Sequence, residues 1–194
     1  MQKPTRKSIR EVIAEEYSRC AKEPSYFLKK YATIQHPKRG KVPFILYPFQ
    51  EDCLGEFMMY EYNIILKSRQ LGLSTLVAGY ALWNMIFKPD FQVLILATKQ
   101  DVAKNLVKKI QVMYDNLPNW VRVPAVENNK LSLILQNGSR VKAESSSPES
   151  TRSEGLSLLI IDEAAFIPKM EDVWTSAQQT LATGGDCIVL STPN

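Results

Sequence analysis

The stretch that decides the fold is Asn63-Ile64-Ile65-Leu66-Lys67-Ser68-Arg69-Gln70-Leu71-Gly72-Leu73-Ser74-Thr75. Its apolar beginning predicts a buried strand, and the apolar run after Thr75 predicts a long helix. A strand, a short polar loop and a helix are typical of a phosphate-binding loop, in which backbone N–H groups hold phosphate oxygens. The sequence therefore predicts a nucleotide-binding P-loop.

Two positions depart from the usual pattern G-x-x-x-x-G-K-[ST]. Lys67 stands where the first glycine is expected, and Leu73 stands where the lysine is expected. Because the two ends of such a loop lie close together, we expect the flexible Lys67 side chain to supply the missing charge. Arg69 is a second cation within the loop. The alternative is a decayed loop that binds nucleotide without hydrolysing it.

A second constellation is Asp162-Glu163, which directly follows the apolar run Leu158–Ile161. A buried strand that ends in a carboxylate places it at the carboxyl edge of the sheet, beside the phosphate loop. We expect Asp162 and the Ser74 hydroxyl to hold Mg²⁺. Glu163 is expected to polarise the water that attacks the γ-phosphate of ATP.

Strands alternating with helices predict an α/β fold whose mostly parallel sheet is flanked by helices. The phosphate loop assigns it to the P-loop NTPases, of the ASCE or RecA-like type. Residues 1–60 are predicted to form an N-terminal helical and adenine-side segment, and residues 61–194 the ATPase core of the same domain. Asn137-Gly138 between two apolar runs predicts a hairpin.

Two further features are candidates for nucleotide contact. Tyr47 and Gln50 open the helix before the loop, where an aromatic ring can stack on adenine and an amide can read its edge. The residues predicted to contact the nucleotide are Tyr47, Gln50, Lys67, Ser68, Arg69, Gln70, Leu71, Gly72, Leu73, Ser74 and Thr75. Arg152 is either a surface arginine paired with a neighbouring glutamate or an arginine finger for another subunit's ATP.

Composition sets broad limits. The 194 residues are 45% hydrophobic and 23% charged, with a formal net charge of +4 that is compatible with a polyanionic partner. Three widely spaced cysteines predict a reducing compartment and argue against a zinc site or disulfides. The charged N-terminus and the lack of a long apolar run predict a soluble intracellular protein.

Taken together, these motifs resemble the ATPase domain of the large terminase subunit of tailed phages, the DNA-packaging motor. The resemblance covers residues 24 to 194. It rests on Ile34-Gln35-His36-Pro37-Lys38-Arg39-Gly40, Tyr47-Pro48-Phe49-Gln50, Lys67 to Thr75, Arg152, Ile161 to Pro168, and Ser191-Thr192-Pro193-Asn194. Some members of that family carry the lysine at the start of the loop, as Lys67 does here.

The resemblance implies further roles and partners. Arg69 would act in cis and Arg152 in trans as catalytic arginines, and Ser191 and Thr192 would couple hydrolysis to DNA movement. The implied partners are double-stranded DNA bound without sequence preference, the portal protein, the small terminase subunit and copies of the chain in a ring, typically of five. The location would be the host cytoplasm. A C-terminal nuclease domain, present in full-length members, is not expected in this chain.

Two alternatives stay open. One is a helicase-type DNA translocase, which needs a second motor domain, and the other is a non-hydrolysing assembly module. The basic residues available for DNA contact form three groups that sequence cannot rank. They are the N-terminal cluster Lys3, Arg6, Lys7 and Arg10, the turn with Lys38, Arg39 and Lys41, and the predicted outer helix face with Lys104, Lys108 and Lys109.

Overall fold

The structure, a computed structural model, describes residues 7–146, 155–182 and 184–193. The helices in these ranges are α1 (Ile9–Lys22), α2 (Pro24–Tyr31), α3 (Pro48–Met59), α4 (Leu73–Phe87), α5 (Gln100–Asp115) and α6 (Met170–Leu181). The strands are β1 (Thr33–His36), β2 (Gly40–Pro43), β3 (Tyr62–Leu66), β4 (Gln92–Ala97), β5 (Ala125–Asn128), β6 (Ser132–Leu135), β7 (Arg140–Ser145), β8 (Leu158–Asp162) and β9 (Asp186–Ser191).

Seven strands form one mixed sheet in the order β3-β9-β8-β4-β7-β6-β5. The first five of these run parallel, while β6 and β5 are antiparallel additions at the far edge. The Asn137-Gly138 turn joins β6 to β7, as the sequence predicted. The predicted α/β fold with a mostly parallel sheet is confirmed.

Strand β3 was predicted to be buried, and that prediction is wrong. It lies at the edge of the sheet with β9 as its neighbour, so alternate side chains point to the surface. Ile64 is 84% exposed and Leu66 is 74% exposed. An apolar run alone does not distinguish an edge strand from a central one, because strand order depends on contacts distant in sequence.

Helices cover both faces of the sheet. Buried side chains of α4 and α5 pack on one face in a core that also includes residues of α1, α2 and α3. The second core, on the other face, is closed by α6. Helix α4 is apolar nearly all round because it lies between the sheet and the other helices, as its composition predicted.

The N-terminal segment is anchored on this core by polar contacts as well. The Trp83 indole N–H donates to the Cys20 carbonyl oxygen at 2.7 Å. Glu16 on α1 accepts hydrogen bonds from Tyr26, Lys30 and Tyr31 on α2, which ties the first two helices together. Within the described ranges, no helix combines the length and apolar character needed to cross a membrane.

Candidate active site

The parallel register brings three sequence motifs to one edge of the sheet. Leu66, the last residue of β3, pairs with Ser191 at the end of β9. The neighbouring pair is Leu190 with Asp162 at the end of β8. The phosphate loop, the Asp-Glu pair and Ser191-Thr192 therefore meet at the carboxyl ends of adjacent strands, where α/β proteins bind ligands.

The loop between β3 and α4 curves around an open cavity of about 250 Å³. Gln70 and Gly72 adopt the left-handed backbone conformation, with φ of 66° and 73°, which gives the loop its tight turn. Helix α4 begins directly after Gly72, so its free N–H groups belong to this region. The cavity is lined by Lys67, Ser68, Gln70, Leu71, Gly72, Leu73, Ser74, Thr75 and Lys109. A concave set of backbone donors at a helix N-terminus suits a phosphate chain.

Gln50, on helix α3, is hydrogen-bonded to the backbone of the loop. Its amide nitrogen donates to the Leu71 carbonyl oxygen at 2.9 Å, and its amide oxygen accepts from the Tyr47 N–H at 3.1 Å. The side chain is buried, so both amide groups satisfy backbone partners. The exposed rings of Tyr47 and Phe49 stack in parallel, with centroids 5.7 Å apart. Adenine contact by Tyr47 and Gln50 stays a prediction.

Ser74 and Asp162 form the candidate magnesium pair. The Ser74 hydroxyl donates to Asp162 Oδ2 at 3.2 Å, at the start of α4 and the end of β8. Asp162 is buried beside the loop. Mg²⁺ is commonly held by one or two carboxylates and a hydroxyl together with water and substrate phosphates, so this donor set fits the ion.

Lys67 is buried at the centre of the site. Its ammonium lies 2.7 Å from Glu163 Oε1 and 3.5 Å from Asp162 Oδ1. Its backbone N–H donates to the Ser191 carbonyl oxygen at 2.9 Å, which continues the strand pairing into the loop. The side chain predicted to replace the missing lysine thus lies between the loop and both carboxylates.

Glu163 is held in a defined position by its surroundings. Its backbone φ of 53° is left-handed, a conformation that costs free energy for a residue with a Cβ and is often found at functional sites. Its Oε2 accepts from the Thr192 N–H and the Thr192 hydroxyl, both at 3.0 Å. Partial burial raises the pKa of Glu163, but the hydrogen bonds from Lys67 and Thr192 together bring its pKa below the ordinary value.

Ser191 binds the segment after Glu163. Its hydroxyl accepts from the Ala165 N–H at 3.0 Å and donates to the Thr192 carbonyl oxygen at 2.8 Å. Of the two residues assigned by resemblance to coupling, Thr192 therefore contacts Glu163 and Ser191 contacts Ala165, two residues further along the chain. These contacts could not be predicted from sequence, because the partners are far apart along the chain.

Other predicted residues are placed less centrally. Leu73 is only 4% exposed and belongs to the hydrophobic core. Arg69 is exposed on the loop. Arg152, like Lys3, Arg6 and Asn194, lies outside the described residues.

One cation near the loop was missed. Lys109 was predicted to lie on the outer face of α5, and that prediction is wrong, because its side chain lines the loop cavity. It is partly buried, and this burial lowers the pKa of its ammonium, while Asp162 raises the pKa and Lys67 lowers it further. The helical spacing alone did not separate it from the exposed Lys108 next to it.

A seven-stranded α/β sheet with a phosphate loop, a hydroxyl–carboxylate pair and a hydrogen-bonded glutamate defines the class of P-loop ATPase folds. Residues 64–194 match the family model described as terminase large subunit, T4likevirus-type, N-terminal. The chain therefore belongs to the terminase large subunit family and corresponds to its N-terminal ATPase domain.

Solved structures show the same fold. The large terminase of bacteriophage HK97 is 20% identical with a TM-score of 0.70, and the match covers 89% of this chain and 37% of that one. The large terminase ATPase domain of Thermus phage P74-26 is 22% identical with a TM-score of 0.57, covering 69% of this chain and 59% of that one. A large terminase from a thermophilic bacteriophage, in complex with ADP, is 14% identical with a TM-score of 0.54, covering 71% of this chain and 35% of that one. This chain therefore spans from about a third to three fifths of these chains.

Proposed function

We propose that this chain hydrolyses ATP with Mg²⁺ and that hydrolysis drives double-stranded DNA into a phage procapsid. The observation that carries the proposal is the meeting of Ser74, Asp162, Glu163 and Lys67 beside the phosphate loop. A decayed loop would not be expected to retain a hydroxyl, a carboxylate suited to a metal ion and a second, hydrogen-bonded glutamate in this arrangement. The membership in a family of packaging motors supports the same conclusion.

Binding comes first. The backbone N–H groups of residues 68–75 hold the phosphate chain at the start of α4. Ser74 and Asp162 would hold Mg²⁺, whose charge would offset part of the phosphate charge. The thermophilic-phage large terminase, which shares this fold, was solved in complex with ADP. The paired rings of Tyr47 and Phe49 are the candidate adenine contact, with Gln50 behind them.

Glu163 is the residue that positions the attacking water and accepts its proton. Hydrogen bonds from Lys67 and Thr192 lower the pKa of Glu163, so it is a carboxylate, the form that can accept a proton. Lys67 occupies one of its oxygens in the described structure. When a γ-phosphate is present, the same ammonium can turn to it, which neutralises the phosphate and frees that oxygen for water. Lys67 would thus replace the usual loop lysine.

Two arginines complete the proposed transition-state charge balance. Arg69, which is exposed on the loop, is proposed to act in cis. Arg152 is proposed as the finger that a neighbouring subunit contributes in a ring of copies, as in other phosphoryl-transfer enzymes.

Coupling is assigned to Ser191 and Thr192. Thr192 is hydrogen-bonded to Glu163, and Ser191 is hydrogen-bonded to the turn that follows it. A movement of Glu163 in response to the γ-phosphate would therefore displace the end of β9. The proposed partners are DNA contacted through backbone phosphates, the portal protein, the small terminase subunit and further copies of the chain in a pentameric ring in the host cytoplasm. Lys38, Arg39 and Lys41 are exposed or partly exposed and are available for phosphate contact.

Steady-state phosphate release tests the enzymatic part. We expect Mg²⁺-dependent turnover of ATP by the wild-type chain and a loss of roughly a hundredfold or more in Glu163→Ala, with nucleotide binding retained. Binding without release in the wild-type chain would instead support the non-hydrolysing assembly module. DNA binding is expected to be independent of sequence and to weaken steeply with salt.

The role of Arg152 has its own test. Turnover that rises steeply with protein concentration would indicate that neighbouring copies complete the site. Arg152→Ala should be inactive alone, yet mixing it with Glu163→Ala should restore activity, since each variant supplies what the other lacks. A mixture that stays inactive would argue against action in trans.

A helicase-type translocase is the remaining alternative among DNA motors. The family match favours packaging over unwinding, because the fold alone is shared by several kinds of motor. Strand separation by the isolated chain on a forked duplex would favour the helicase instead.

A further inference from the structure

Lys67 and Lys109 both line the loop cavity, and Lys109 differs from Lys67 in that it lacks an acidic partner within the described part of the chain. Lys67 contacts two carboxylates, and Lys104 on the same helix as Lys109 is 2.9 Å from Asp101. Among the described residues, no ion pair or hydrogen bond is found for the Lys109 ammonium. A partly buried ammonium without a counter-ion is costly in the folded chain, which is consistent with its lowered pKa.

The position of Lys109 is fixed by regular structure and not by a mobile loop. It lies in the second half of α5, whose buried side chains pack against the sheet. Strand β4 leads into this helix, and its last residue, Ala97, pairs with Asp162. The helix therefore holds Lys109 opposite the phosphate loop without any contribution from the loop itself.

Lys109 also lies at the junction of two cavities. The loop cavity of about 250 Å³ and a neighbouring cavity of about 410 Å³ are both lined by Thr75 and Lys109. The larger one extends between β1 and α5, along Ile34, Gln35 and Met113. A ligand that reached from one cavity into the other would therefore lie beside Thr75 and Lys109.

From these observations we infer that Lys109 supplies a second phosphate-binding cation to the loop, from helix α5, for the phosphate chain of a nucleoside triphosphate. The inference rests on the proposed ATPase function and adds to it a residue that lies outside the loop and the Asp-Glu motif. Lys67 must leave Glu163 before it can serve a phosphate, whereas Lys109 has no acid to release. The site would therefore attract the phosphates first through Lys109 and complete their neutralisation through Lys67.

The distinction between the two lysines predicts different defects. Loss of Lys109 should weaken nucleotide affinity, because a cation is missing when the phosphates arrive. Loss of Lys67 should mainly lower turnover, because Asp162 and Glu163 lose their counter-ion and the γ-phosphate loses its cation. A purely structural role for Lys109 would change neither quantity selectively.

The test is equilibrium binding of ATP, ADP and adenosine to the 194-residue chain and its variants, with Mg²⁺ present. Lys109→Met keeps most of the aliphatic stem and removes the charge, and we expect ATP affinity to fall roughly tenfold to a hundredfold. ADP affinity should fall less, and adenosine affinity should not change. Lys109→Arg, which keeps the charge, should recover part of the loss. Lys104→Met is the matched control, because Lys104 lies on the same helix outside the loop cavity, and it should bind like wild type.

The experiment distinguishes failure of this inference from failure of the proposed function. Unchanged ATP affinity in Lys109→Met, while the wild-type chain binds and hydrolyses ATP, overturns the inference and leaves the ATPase proposal standing. An equal loss for ATP and adenosine also overturns it, since that would indicate a general change of the pocket. Absence of ATP binding by the wild-type chain contradicts the proposed function itself. Thermal melting establishes that each variant is folded, and Lys109→Gln replaces Lys109→Met if the latter is not.

Discussion

At the scale of single residues, the site depends on one lysine that contacts two acids. Lys67 lies directly after β3, buried, with its ammonium between Asp162 and Glu163. The position of the usual lysine is occupied by Leu73, which is buried in the hydrophobic core. Under the proposed function, Lys67 would supply the charge of the usual loop lysine, while Leu73 at that position packs in the core.

Replacing Lys67 tests this division. Lys67→Ala should lose nearly all ATP turnover, because Asp162 and Glu163 lose their counter-ion and the γ-phosphate loses a cation. Leu73→Met, which conserves volume in the core, should keep most of the turnover. Leu73→Ala is a poor control, since removing a buried leucine side chain costs about 2–5 kcal/mol of stability. Phosphate release by the two variants, with melting temperatures measured in parallel, tests whether Lys67 supplies the missing cation. Full activity in Lys67→Ala would refute that role.

At the scale of elements, α3 and the phosphate loop form one unit. Gln50 from α3 supports the loop at Leu71, and its amide nitrogen would lie 2.8 Å from a Cβ added at Gly72. Gly72 also has a φ of 73°, which residues with a Cβ rarely adopt. Both the backbone conformation and the space at this position therefore require glycine.

Gly72→Ala should lower the free energy of unfolding by about 1–2 kcal/mol through backbone strain alone. The displaced Gln50 should in addition weaken ATP binding. Gly55→Ala is the matched control, because Gly55 lies within α3 and a Cβ there would have no heavy atom within 4 Å. That variant should gain roughly 0.5–1 kcal/mol, the usual advantage of alanine over glycine inside a helix. Urea unfolding of both variants measures the difference, and equal effects would contradict the structural explanation.

The parts of the site that are formed by one continuous stretch of chain could be predicted from the sequence. The strand, the loop and the helix from Asn63 onward were readable from their pattern, and so was the strand that ends in Asp162. The edge position of β3 and the direction of Lys109 were not, because both depend on which elements pack beside them. Gln50 was predicted to contact adenine, which stays a prediction, and its hydrogen bond to the Leu71 carbonyl oxygen was not predicted because it is set by the three-dimensional approach of α3 to the loop.

At the scale of the whole molecule, the N-terminal helices are held to the ATPase core by burial and by one acidic residue. Cys20 is fully buried in the main core, and Glu16 joins α1 to α2. The hydrogen bonds from Lys30 and Tyr31 lower the pKa of Glu16 from 4.5 to about 2, against the opposing effect of burial. The charged form of Glu16 is therefore favoured in the folded chain.

This linkage predicts a particular response to acid. A carboxyl group with a lowered pKa in the folded state stabilises the fold above its unfolded pKa, and the contribution disappears as the pH falls toward the folded value. Glu16→Gln should therefore be less stable than wild type at neutral pH. The difference between the two should narrow as the pH falls from 4.5 to about 2. Urea midpoints measured across that range test the prediction, and a constant difference would contradict it.

The edge position of β3 has a mechanical consequence. Within the described residues, the strand that carries the phosphate loop is attached to the sheet through β9 alone, and the Lys67 N–H continues this pairing by donating to the Ser191 carbonyl oxygen. A pull along β9 therefore loads the parallel row of hydrogen bonds in shear, where they share the load and do not open one after another. We therefore expect a displacement of the end of β9 to be transmitted to the loop between β3 and α4.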